Sequence, residues 1–205
     1  MNITRFDRAH LPVMPWKNGA GLTREVVCHP VGAGLDDFDW RVSITSIQKG
    51  GPFSQFPGVD RTLVFLGGGG VRLHTPQGQT LAQLEVALHS CAFSGETALA
   101  ATLLTASPSE DFNVMTRRST LRSRVEVLEQ GRELMPGLRG VLYAARGNWT
   151  LTDLGASDDL LRLRPGQGVW WESECPRWRV APGEVNAALL FIELLTVDRP
   201  PAAHA

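Results

Sequence analysis

Arg41 sits in the segment Phe38–Asp39–Trp40–Arg41–Val42–Ser43–Ile44–Thr45, where apolar and polar residues alternate. Side chains of a strand alternate between faces, so Arg41, Ser43 and Thr45 share the face opposite Phe38, Trp40, Val42 and Ile44. A guanidinium on a sheet face inside a barrel needs an anion. Asp60, Glu25 or a bound carboxylate would serve, and the planar fork of arginine matches a carboxylate with two hydrogen bonds. Lys17 and Asn18, in a glycine-containing loop, add donors. The chemistry expected is recognition of a small anionic metabolite. The competing reading is an internal ion pair, Arg41–Asp60 or Arg61–Glu25, that pins loops onto the barrel. An acid–base set is also conceivable, with Asp60 or Glu25 as base, Lys17 assisting and Arg41 clamping the anion of a small carboxylate. That would make a cofactor-independent isomerase or hydrolase, and a non-enzymatic binding protein is the favoured alternative. A nucleophile is poorly supported: there is no Gly-x-Ser-x-Gly, and Cys28 and His29, as strand neighbours, point apart.

Metal and phosphate chemistry find little footing. His10, His29, His74, His89 and His204 are scattered, with no His-x-His or His-x-x-x-His among them. His74, within 71–75, is the one nearest to a functional setting. Cys28, Cys91 and Cys175 are far apart and odd in number, which argues against a disulfide framework or a cysteine-rich zinc site. The run Gly67–Gly70 has no Lys–Ser/Thr after it and reads as a hairpin turn rather than a phosphate loop. Arg117, Arg118, Arg122 and Arg124 form the basic cluster, read as a charged strand edge. Within it, Arg117 is the residue to watch for the pocket.

These residues need a β scaffold. The chain has 205 residues, 43% hydrophobic and 20% charged, with net charge −1, so a sizeable core is expected and a nucleic-acid partner is not. The longest apolar runs fall well short of the roughly 20 residues that span a bilayer. Met1–Asn2–Ile3–Thr4–Arg5–Phe6–Asp7 is polar with no apolar stretch behind it, which reads as cytoplasmic. Strands are expected at 38–45, 62–66, 71–75, 79–84, 98–104, 112–116, 124–128, 140–145, 149–153, 160–164, 168–171 and 188–196, with no long helical stripe. Two halves look comparable, 1–128 and 129–205, each with a strand–Gly–strand segment (62–75 and 141–153), and strands from both may be exchanged between them. Edge strands offer a route to a homodimer.

Five ordered segments carry a resemblance: Met14–Pro15–Trp16–Lys17–Asn18–Gly19–Ala20–Gly21–Leu22–Thr23–Arg24–Glu25, Phe38–Ser43, Gly51–Arg61, Phe93–Ser94–Gly95–Glu96 and Asp111–Phe112–Asn113–Val114–Met115–Thr116–Arg117–Arg118. In this order they resemble the HutD/Ves family, over about residues 3–195. The resemblance implies an all-β fold, a double cupin-like β-barrel (bicupin) in one compact unit. It also implies a cytoplasmic bacterial protein tied to histidine utilisation or stress response, with a small-molecule pocket. It brings no catalytic residue. Set against the usual cupin motif, Asp60, six residues and Gly67 keep the spacing, while Ser54 and Phe56 stand where two histidines would be and Ala98 where a third would be. Imidazole ligands are missing, so neither a metal nor another cofactor is expected. Trp170–Trp171 put aromatics at a comparable place in the second half. The expected ligand-binding set is Lys17, Asn18, Glu25, Arg41, Ser43, Ser54, Phe56, Asp60, Arg61, Asn113 and Arg117. Trp40 is expected in the core, and Phe56 as either pocket lining or core.

Overall fold

The structure, a computed structural model, describes residues 3–155, 160–173 and 177–197. Cys175 and His204 lie outside the described residues. The first half carries β1 (Ile3–Asp7), β2 (Val13–Pro15), β3 (Gly21–His29), β4 (Trp40–Ile47), β5 (Gly51–Pro52), β6 (Val59–Gly68), β7 (Val71–His74), β8 (Thr80–Leu84), β9 (Ser90–Ser94), β10 (Ala100–Leu103) and β11 (Ser109–Arg117). The rest carries β12 (Leu121–Leu128), β13 (Arg132–Leu134), β14 (Arg139–Arg146), β15 (Trp149–Asp153), β16 (Leu160–Leu163), β17 (Gln167–Glu172), β18 (Trp178–Pro182) and β19 (Ala188–Thr196). One 3-10 turn, Arg8–His10, is capped by the Asp7 carboxylate, which accepts from the Ala9 N–H at 2.9 Å.

The strands make four open sheets: β2-β3-β4-β11-β6-β9, β5-β10-β7-β8, β1-β17-β14-β19-β12 and β13-β18-β15-β16. The order β4-β11-β6-β9 recurs as β12-β19-β14-β17, and β5-β10-β7-β8 recurs as β13-β18-β15-β16. The N-terminal strand β1 joins β17, with Ile3 opposite Trp171. The two large sheets pack face to face through Trp40, Val42, Ile44, Phe112 and Val114 on one side and Val141, Tyr143, Leu190 and Ile192 on the other. Each large sheet turns its other face to a small one. That is why β4 is buried along both faces rather than alternating with solvent.

Three local expectations need correction. The glycine run does not close a hairpin: β6 and β7 belong to different sheets, and Gly67–Gly70 carry the chain across from one to the other. Gly67, Gly68 and Gly70 have φ of +150°, +103° and +80°, and a Cβ on Gly68 would sit 2.1 Å from the Pro108 carbonyl oxygen. Likewise β14 and β15, at 141–153, fall in different sheets. Phe38 precedes β4 and packs with Val59, Met115 and Phe56, not with the Trp40 face.

Candidate functional site

The inner face of the six-stranded sheet places polar groups in rows. Cys28, Arg41, Met115, Arg61 and Phe93 are paired across β3, β4, β11, β6 and β9. The next row runs Glu25, Ser43, Asn113 and Leu63, and the next Thr23, Thr45, Asp111 and Phe65. Beyond them Ile47, Leu63 and Phe65 pack against Val71 and Leu73 of the small sheet. On the open side lies a cavity of about 750 Å³. Its floor is Thr23, Glu25, Arg41, Thr45, Arg61, Asn113 and Met115, and its walls are Met14–Asn18, Ala33–Leu35 and the stretch with Phe53, Ser54 and Phe56.

The loops of the five segments are built to hold these walls. The Trp16 indole donates to Thr23 Oγ1 at 2.8 Å, and Asn18 Oδ1 accepts from the Ala20 N–H at 3.0 Å. A Cβ on Gly21 would lie 3.0 Å from the Trp16 ring and 2.6 Å from the Ser46 carbonyl oxygen, so glycine lets the loop lie flat on the sheet. Glu96 accepts from the Gly58 N–H at 2.6 Å and pairs with Arg118 at 3.0 Å, propping the stretch that carries Phe53 and Phe56. The Arg118 and Ser94 bonds hold its carboxyl down at about 2. Arg117 donates to the carbonyl oxygens of Phe38 at 2.9 Å and Asp36 at 2.8 Å, anchoring the other wall.

Arg41 and Arg61 differ sharply. Arg41 Nε donates to Glu25 Oε2 at 2.7 Å. Arg61 is 8% exposed, and no carboxylate lies within ion-pair distance of it among the described residues. It packs among the rings of Phe53, Phe56 and Phe93, at 5.2, 5.5 and 5.2 Å from their centroids. Its polar contacts are long, 3.4 Å to both the Ser54 carbonyl oxygen and Asn113 Oδ1, and its Nε has no partner. Burial first, then Arg41, lowers its pKa to about 10, so it stays charged at neutral pH. Asp111 is wholly buried with both carboxylate oxygens unpartnered, and burial, against the pull of Arg61, raises its pKa to about 7. Burial also raises the Cys28 thiol. This arrangement can bind an anion.

Of the expected residues, Lys17, Asn18, Glu25, Arg41, Ser54, Phe56, Arg61 and Asn113 come together at the cavity. Three do not line it. Asp60 is the neighbour of Arg61 and so faces the other way; it pairs with Arg118 at 2.8 Å, so it is not the partner of Arg41. Arg117 is spent on backbone carbonyls, and Ser43 is buried beneath Asn113, whose Nδ2 donates to Ser43 Oγ at 3.5 Å. The ion pair that forms is Arg41–Glu25, neither Arg41–Asp60 nor Arg61–Glu25. His74 bonds Thr75 O and Thr102 Oγ1, each at 2.9 Å, away from the cavity. Trp40 is core, as expected. Trp16, Phe53, Met115 and Asp111 were missed as site residues. Asp111 and Met115 were legible: they alternate with Asn113 on one strand face.

The donors present do not fit a transition metal. Two guanidiniums and Lys17 repel a cation, Glu25 is taken by Arg41, and no cluster of three His, Cys, Asp or Glu occurs among the described residues. Among the described residues no helix is long and apolar enough to cross a membrane.

Comparison with known proteins agrees with the family resemblance. Protein Ves of Cronobacter sakazakii is 35% identical over 190 residues, covering 92% of this chain and 97% of its own. A conserved protein of unknown function from Pseudomonas aeruginosa PAO1 is 30% identical, with a TM-score of 0.82 over 95% of this chain and 99% of its own. HutD from Pseudomonas fluorescens SBW25, solved in a formate condition, is 23% identical, with a TM-score of 0.80 over 96% of this chain and 100% of its own. The all-β fold is cupin-like, as in more distant solved structures. The HutD family model matches residues 8–189, and the chain therefore belongs to the HutD family.

Proposed function

We propose that the cavity binds a small anionic metabolite without a metal, its carboxylate anchored on Arg61. The observation that carries this reading is the buried, charged Arg61 guanidinium, which faces the cavity and has no carboxylate within ion-pair distance among the described residues. An unpaired buried charge is costly, and a ligand carboxylate would relieve that cost. The aromatic and Met side chains around it favour a ligand with a flat apolar body. Each half is then a cupin-like barrel, the second filled and the first open. The role is regulatory or accessory, in the cytoplasm, within histidine catabolism or a stress response, as the family implies. Binding rather than turnover is favoured because Asp60 faces away and Glu25 is held by Arg41.

The test is thermal melting with histidine, urocanate, formylglutamate, glutamate, formate and benzoate, with and without chelator. A ligand at about 100 times its Kd adds about 2.7 kcal/mol, or several degrees at this size. A chelator-insensitive shift that Arg61→Gln loses supports the reading. A flat panel, or a shift that survives in Arg61→Gln, overturns it.

A further inference from the structure

Asp111 has no role in the fold that its surroundings explain. It is 0% exposed, and neither carboxylate oxygen has a hydrogen-bond partner. Apolar Phe65 stands across from it on one side and Thr45 on the other. Its strand face is the face of Asn113 and Met115, which line the cavity. Asn113 in turn lies between Asp111 and Arg61, accepting from the Arg61 guanidinium. A carboxylate in this position feels the charge of Arg61 through low-dielectric surroundings. The other charged groups near it are few. Arg41 on β4 is matched by Glu25 on β3, and Glu110, beside Asp111 on β11, is bound to Arg8.

Given that the cavity binds an anion, we propose that Arg61 and Asp111 act as a linked pair: a carboxylate arriving on Arg61 draws a proton onto Asp111. Without ligand, the positive guanidinium steadies an ionised Asp111. A bound anion cancels that charge, and the ionised Asp111 then repels the ligand through the interior. Proton uptake removes the repulsion. The pocket thus takes up its anion together with a proton and holds it more tightly in acid. Carboxylate ligands stay ionised across this range, so the dependence belongs to the protein. The near-neutral position of the Asp111 carboxyl places the effect around pH 7.

The experiment is calorimetric titration with benzoate, a carboxylate on a flat apolar ring, in two buffers of different ionisation enthalpy at pH 6, 7 and 8. The expected result is net proton uptake in the wild type near pH 7. Binding weakens about fivefold from pH 6 to pH 8, the part of a tenfold coupling that falls within that range. Asp111→Asn keeps binding, takes up no proton and shows no such weakening. In the ligand-free protein, Arg61→Gln moves the Asp111 carboxyl resonance titration upward, read by carbon NMR. Binding without proton uptake, or uptake that persists in Asp111→Asn, overturns the linkage and leaves the pocket standing. No benzoate binding at any pH, with no effect of Arg61→Gln on the Asp111 titration, overturns the linkage, and the panel above then judges the pocket separately.

Discussion

In the row Phe93–Arg61–Met115 of the six-stranded sheet, a guanidinium faces a cavity. In the corresponding row of the five-stranded sheet, Trp171–Gly140–Glu193, an indole lies across a glycine. A Cβ on Gly140 would be 2.4 Å from the Trp171 ring, so the ring occupies the place of a side chain there. Trp171 donates to the Gly137 carbonyl oxygen at 3.1 Å and packs with Trp149, Trp178, Leu142 and Phe191. Strand order is the same in the two halves, yet one interior is packed and the other is partly hollow. The difference lies in the inward residues: apolar and interlocking around Trp171 in one, polar around Arg41 and Arg61 in the other.

The largest expected effect falls on the packed half. Trp171→Ala should cost about 3–5 kcal/mol, the lost transfer free energy plus the cavity left behind. Trp16→Ala, on the cavity wall, should cost about 1–2 kcal/mol because its ring already borders open space. Denaturant unfolding of both variants checks this. Equal losses would mean that the two interiors are packed alike.

Asp111→Asn sharpens the contrast through pH. The carboxyl is raised from 3.8 to about 7, so the folded state holds its proton more tightly than the unfolded one. Its favourable contribution is complete below about 4 and is lost as pH rises through about 7. The ceiling on this difference is about 4 kcal/mol at about 1.4 kcal/mol per tenfold. We expect Asp111→Asn to gain about 2 kcal/mol on the wild type between pH 5 and pH 8. A constant gap across that range would show an Asp111 that is not titrating. Arg61→Met should then add about 1–2 kcal/mol of stability while removing binding, because it trades an unpaired buried charge for an apolar chain. Loss of stability together with loss of binding would make Arg61 a structural residue.

Much of this was legible in sequence because alternation is a local signal. The pattern around Arg41 and Ile44 gave both the strand and its two faces. Of Trp170–Trp171, Trp171 marked where the second half is filled, while Trp170 packs toward Trp40 between the large sheets. Pairing is not local. Nothing in Leu66–Gly67–Gly68–Gly69–Gly70–Val71 distinguishes a hairpin from a passage between sheets; the close carbonyl of Pro108 does. Short edge strands such as β2 and β13 carry too few residues to show a period. The choice of partner for Arg41 depended on which face of β6 Asp60 takes. The alternation with Arg61 decides that only once the orientation of β6 is known.

Asp60 supplies the smallest expected effect and the narrowest test of that geometry. Its carboxylate is on the outer side of β6 and pairs with Arg118, itself half exposed. Exposed ion pairs contribute little, since solvent screens both partners. Arg118 also keeps Glu96 and the Ser94 hydroxyl, so the prop under Phe53 and Phe56 survives the loss of one carboxylate charge. Asp60→Asn should therefore leave anion binding unchanged and barely move the melting temperature, and the same measurement on Glu25→Gln should strengthen anion binding by freeing Arg41. Were Asp60→Asn to abolish binding or a reaction while Glu25→Gln did nothing, the inner and outer faces of β6 would have been assigned the wrong way round.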